Sequence, residues 1–116
     1  MITDLFAVPA GRRADIERLL AELSAGQTVA LSTHINSDGD GCGSEAALAG
    51  LLAQRGIAAF IVNPTPWPTM FRYLLEEGGI EDRSAQGVRA LAAVDRLIVL
   101  DISDVKRLGV LAEAVA

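Results

Sequence analysis

The apolar positions of this chain switch between two periods, and the switches mark its elements. Ile16, Leu19, Leu20 and Leu23 recur at i, i+3, i+4 and i+7, the spacing that lines one face of an α-helix against a core. Pro9 suits the opening turn, where its missing N–H has no partner to lose, and Gly26 closes the segment. Arg12, Arg13, Glu17, Arg18 and Glu22 fall mostly off the apolar face and read as a solvated surface rather than a phosphate patch. Residues 28–33 are short, β-branched and nearly continuously apolar, as strands covered on both faces are. Ala46, Ala47, Leu48, Leu51 and Leu52 then mark the stripe of a second helix ending near Gly56, and residues 57–62 form a second strand. A strand–helix–strand unit of this kind takes a right-handed crossover.

Downstream the segments are shorter. Residues 63–68 hold three prolines and Trp67, a rigid non-helical connector that serves either as a pocket wall or simply as a link with a partly buried indole. Met70, Phe71, Tyr73, Leu74 and Leu75 predict a short helix closed by Gly78 and Gly79, its aromatic residues packing in the core. Val88, Leu91, Ala92 and Val94 outline another helical segment, residues 97–100 a third strand ending at Asp101, and residues 105–116 a last helix. Residues 1–8 read as a leader with no chemistry of their own. The expected fold is α/β, a three-layer α/β/α arrangement with a mainly parallel, Rossmann-like sheet.

Composition narrows the picture. With 116 residues, 51% of them hydrophobic, the chain is one globular domain at most. No apolar run approaches the roughly 18–20 residues that span a bilayer. The opening ten residues carry Asp4 and no Lys or Arg, unlike a secretory signal, so the cytoplasm is the expected compartment and no membrane partner is expected. A single cysteine, Cys42, excludes an internal disulfide. Neighbouring carboxylates disfavour its thiolate, so it reads as a small residue in a tight loop. The net charge of −5 argues against binding of long duplex nucleic acid.

The chemistry gathers in residues 34–44, His-Ile-Asn-Ser-Asp-Gly-Asp-Gly-Cys-Gly-Ser, between the first strand and the second helix. Ligands of open α/β sheets bind in such loops. His34, Asp38 and Asp40 offer one nitrogen and two carboxylate donors, a set suited to a divalent metal such as manganese. Two carboxylates held close repel unless a cation or hydrogen bonds stabilise them. Gly39, Gly41 and Gly43 allow the backbone to wrap tightly. The plainer alternative is a polar turn with helix-capping aspartates and a lone surface histidine. Asp101, at the end of a parallel strand, faces the same rim, and Asp104 is the better helix cap, which leaves Asp101 free for a metal.

These residues resemble the DHH phosphoesterases, and most closely the branch of oligoribonucleases and 3′-phosphoadenosine 5′-phosphate (pAp) phosphatases called nanoRNases. Residues 33–44 look like the family's first motif, with Ser37 where a proline commonly precedes the first aspartate. Leu100-Asp101-Ile102-Ser103-Asp104 with Arg107-Leu108-Gly109 looks like the second. The resemblance implies a two-manganese site (Mg2+ or Co2+ as substitutes), with His34, Asp38 and Asp101 on one ion, Asp40 and Asp101 on the other. It implies a metal-activated hydroxide attacking the phosphorus of a short RNA or nucleotide. Gly43 and Ser44 would support the loop or face phosphate, and Arg107 would shape the second motif.

The Asp-His-His motif that names the family, a later aspartate and a carboxyl-terminal substrate domain have no counterpart here, and His34 is the one histidine. The chain therefore resembles the amino-terminal part of a longer enzyme. An incomplete second metal site, little turnover and a tendency to self-associate through exposed apolar surface are expected.

Three other readings compete. Family II inorganic pyrophosphatases share a similar His-x-x-x-Asp-x-Asp loop. A dinucleotide-binding module fits Gly41-x-Gly43-x-x-Ala46 loosely, although Asp38, Asp40 and Glu45 would repel a pyrophosphate. A non-catalytic half-domain would pair with another chain that supplies the missing ligands.

Overall fold

The computed structural model describes residues 7–115; the expected leader lies mostly outside them, as does the last residue of the carboxyl-terminal segment. The chain runs α1 (Ala10–Ala21), β1 (Thr28–Ser32), α2 (Gly39–Gln54), β2 (Ala58–Ile61), α3 (Arg72–Gly78), β3 (Glu81–Asp82), β4 (Arg96–Val99) and α4 (Ala112–Val115). Three 3₁₀ segments, Thr69–Phe71, Ser84–Leu91 and Val105–Leu111, fill the connections. The strands form one sheet in the order β3-β2-β1-β4, every pair parallel. The fold is α/β with a Rossmann-like parallel sheet between two covering layers. Among the described residues no helix is long and apolar enough to cross a membrane.

Each face of the sheet has its own core. On one, Val29, Leu31 and Ile61 pack against Cys42, Ala49 and Leu52 of α2 and against Trp67 and Leu75. On the other, Ala30, Phe60 and Val62 meet Ala90, Leu108 and Leu111. Central β1 supplies both, its successive side chains pointing to opposite faces. That is why its sequence is apolar throughout.

Several expectations need correction. No residue of α1 is buried; Ile16 and Leu19 are 42% and 46% exposed, and only Leu23, past the helix, packs against a core cluster. The sheet faces are already covered by α2 and α3 and by residues 84–115, so among the described residues no layer buries the stripe of α1. Gly26 does not end α1, which stops at Ala21; with φ +89° it forms the turn into β1, its N–H donating to Gly56 O at 3.0 Å. In α2 the buried row is Gly41, Cys42, Glu45, Ala49 and Leu52, whereas Leu51 and Ala47 are exposed.

Met70 and Tyr73 are exposed as well, leaving Phe71, Leu74 and Leu75 as the apolar face of that segment. Edge strand β3 was invisible to hydropathy because it consists of two acidic residues. The last helix is broken. Gly109 kinks the 3₁₀ stretch Val105–Leu111 from within, at φ +52°, and a Cβ there would lie 2.8 Å from Ile35 Cγ2.

Candidate metal centre

All the sequence candidates lie near the carboxyl ends of β1 and β4 or in the helix that follows, and the fold sorts them. Nε2 of His34 lies 3.7 Å from Asp38 Oδ1 and 3.5 Å from Asp101 Oδ2. One donor atom from each of the three residues falls within 4.8 Å of the others. His34 is buried, and both carboxylates are open to solvent. Asp40 is not in this trio; it is exposed in the first turn of α2. Gly43 and Ser44 lie in the second turn, inside the helix rather than at its start. Arg107 is exposed and, with Asp101, Ile102 and Ser103, borders a shallow hollow of about 320 Å3.

Local backbone geometry aims these groups. Asp38 caps α2, its Oδ1 accepting from Gly41 N at 3.0 Å. That hydrogen bond holds the Asp38 carboxyl below its usual range, with the nearby His34 adding to the effect against slight desolvation. So the capping role weighed for the aspartates is real for Asp38, and the capping oxygen, Oδ1, is also the one that faces His34 Nε2. Asp101 adopts φ +59° and Asn36 φ +53°, a left-handed conformation that Asp and Asn accept more readily than other side chains but still at a cost of about 1–2 kcal/mol. At Asp101 this sharp reversal directly after β4 keeps the carboxylate at the rim. The two loops are also tied together: Ile35 N donates to Arg107 O at 2.8 Å. Asp104 caps the segment that follows, accepting from Lys106 N.

The tautomer of His34 tests whether a metal fits. Its Nδ1 lies 2.7 Å from the Ile35 carbonyl, which can only accept, so Nδ1 carries the N–H and Nε2 is the nitrogen left to face the carboxylates. A lone pair facing two carboxylates is repulsive, so the trio is favourable only with a positive charge among the three atoms. A proton on Nε2 or a shared cation supplies it. The spacings of 3.5 and 3.7 Å are close to the roughly 3–3.5 Å between adjacent nitrogen and oxygen ligands about 2.1 Å from one ion. A ring nitrogen anchored on a backbone carbonyl is also the usual support of a metal-bound histidine. The donor set fits a divalent metal.

Sequence reasoning passed over a polar network directly beneath this trio. Thr33 N donates to Asn63 Oδ1 at 3.1 Å, and Thr33 Oγ1 donates to Leu100 O at 2.9 Å. Asn63 Nδ2 donates to Glu45 Oε1 at 3.1 Å, and Asn63 N to Ser84 Oγ at 2.7 Å. Glu45 is fully buried and its Oε2 has no partner among the described residues. Burial pushes its pKa up to about 8, Asp82 adding to the rise against the Asn63 hydrogen bond. Glu45 is therefore a neutral acid inside the fold rather than a charge facing the loop. The one available signal was a polar residue, Asn63, at the carboxyl end of an apolar strand. Cys42 is buried, and burial raises its thiol pKa, in keeping with a packing role. Trp67 is buried too, its Nε1 donating to Phe71 O, and it lines a cavity of about 210 Å3 with Asn63, Arg72, Asp82 and Ser84.

The class that fold and geometry define is a parallel α/β domain with candidate metal donors at its carboxyl rim. No family model matches the chain, and no curated protein does. Among solved structures it is similar to an exopolyphosphatase-related protein from Bacteroides fragilis, with a TM-score of 0.74 at 18% identity. The similarity covers 98% of this chain and 33% of the other. This chain thus corresponds to about a third of that structure, and the likeness is one of fold.

Proposed function

We propose that this chain carries a metal-binding part of a phosphoester hydrolase, with manganese as the preferred ion held by His34, Asp38 and Asp101. The observation behind the reading is the convergence of His34 and Asp38, four apart in one loop, with Asp101 from the distant turn after β4, on the carboxyl rim of the sheet. The fold shared with an exopolyphosphatase-related protein supports hydrolysis of a phosphorus–oxygen bond. Resemblance of residues 33–44 and 100–109 to nanoRNase motifs favours short oligoribonucleotides and pAp as substrates.

When bound, a divalent ion supplies a Lewis acid and lowers the pKa of a water molecule towards neutrality. The residues set the geometry. His34 presents Nε2 from a buried ring whose tautomer is set by Ile35 O. Asp38 presents Oδ1, the oxygen 3.7 Å from His34 Nε2 that Gly41 N also holds in place, and Asp101 closes the trio from the second loop. Arg107 and Ser103, beside Asp101 in the open hollow, are placed to hold a substrate phosphate through charge-assisted hydrogen bonds. Asp40, exposed in the first turn of α2 two residues after Asp38, is available to a second ion together with donors beyond this trio.

Titrating Mn2+ into the purified chain, with the free ion followed by electron paramagnetic resonance, tests the reading. Saturable binding that Asp38→Ala or Asp101→Ala weakens at least tenfold is expected. Equal binding by the unsubstituted chain and Asp101→Ala would overturn it. Phosphate release from di- and trinucleotides, pAp, pyrophosphate and polyphosphate by the same preparations separates the substrate classes.

A further inference from the structure

The three proposed donors sit on different segments: the end of β1, the cap of α2 and the turn after β4. The regular pairing of β1 with β4 ends at Ser32↔Val99, one residue short of the donor-bearing stretch on each strand. Backbone hydrogen bonds from Leu100 N to Ser32 O and from Ile35 N to Arg107 O continue the link between the two segments, and between these two bonds a side chain adds a further tie. Thr33 lies there, buried, immediately before His34.

Every segment that carries a donor meets Thr33. Its hydroxyl donates to the carbonyl of Leu100, the residue before Asp101. Its amide turns the other way, to Asn63 Oδ1 at the end of β2. Asn63 is itself gripped by Glu45 from α2 and by Ser84. Gly41, whose N–H fixes the Asp38 carboxylate, lies so close that a Cβ on it would be 2.9 Å from Thr33 Oγ1. One small side chain therefore touches the neighbours of His34, Asp38 and Asp101 together.

We propose that Thr33 is the positioning residue of the metal centre: its hydroxyl, with its amide anchored on Asn63, fixes the separation of the three donors. This rests on the metal-binding reading above. Supporting partners of metal ligands typically alter affinity by about 10- to 100-fold when removed. Thr33 acts one step further out, by holding the backbone from which the ligands project.

Thr33→Val keeps the shape and removes the donor, whereas Thr33→Ser keeps the hydroxyl. Leu52→Ala, on the buried face of α2 near its carboxyl end, serves as a variant that costs stability without touching the rim. Mn2+ affinity is measured by electron paramagnetic resonance, with urea unfolding followed in EDTA. The expected result is affinity reduced about tenfold or more in Thr33→Val, near-native affinity in Thr33→Ser, and unchanged affinity in Leu52→Ala despite its lower unfolding midpoint.

Should Thr33→Val fail to fold, Asn63→Ala, which removes the acceptor of the Thr33 amide, is expected to show the same loss. Native affinity in the variant tested, or equal losses in Thr33→Val and Thr33→Ser, would overturn the assignment while leaving the metal reading intact. Absence of Mn2+ binding by the unsubstituted chain would overturn both.

Discussion

Replacing Glu45 by Gln changes how stability responds to pH, and the structure sets sign and size. The fold raises the Glu45 pKa from 4.5 to about 8, mainly through burial. A group whose pKa is raised by folding binds its proton more tightly in the native state. Its contribution is therefore fully present below about pH 4.5 and is lost as pH climbs through about 8. At about 1.4 kcal/mol per unit, the native chain should lose about 3 kcal/mol from this residue between pH 5 and pH 7.5.

Glutamine keeps an acceptor for Asn63 Nδ2 and cannot ionise, so Glu45→Gln should lack this slope. Urea unfolding of both proteins across that range gives the comparison, because titrations elsewhere cancel in the difference. The variant should gain on the native chain steadily with rising pH. Parallel curves would refute the neutral, buried acid. Glu45→Leu, which also removes the hydrogen-bond acceptor, should be destabilised even at pH 5, leaving Asn63 Nδ2 unpaired at a cost of about 1–3 kcal/mol.

Gly109→Ala should destabilise the chain by about 1–3 kcal/mol in thermal or urea unfolding, since it forces a side chain into φ +52° and to within 2.8 Å of Ile35. Gly41→Ala should weaken Mn2+ binding as well as stability, because the new methyl would press on Thr33 Oγ1 and displace the turn that holds Asp38. By contrast, Ile16→Ser and Leu19→Ser should change the unfolding free energy by less than about 0.5 kcal/mol, as both positions are open to solvent. A cost of 2 kcal/mol or more would show that α1 packs after all.

What local sequence determined about this protein was its sheet and its loop. β1 could be read because a doubly covered strand must be apolar on both faces. The polar turn of residues 34–44 stood out because it interrupts an apolar strand and an alanine-rich helix. Two things lay beyond that reach. Periodicity reports which face of a helix is apolar but not whether anything covers it, so the stripe of α1 looked like core although the sheet faces were already taken. It also counts Glu as outward-facing, so Glu45 was missed in the buried row of α2, where Asn63 and depth keep it neutral.

The donor trio belongs to tertiary structure most of all. Asp38 and Asp40 are neighbours in the chain, yet only Asp38 joins His34, because helix α2 begins between them and carries Asp40 outward. Asp101, far away in sequence, joins instead. Parallel pairing of β4 with β1 brings its backbone to the rim, and the left-handed turn at Asp101 keeps its carboxylate beside the imidazole.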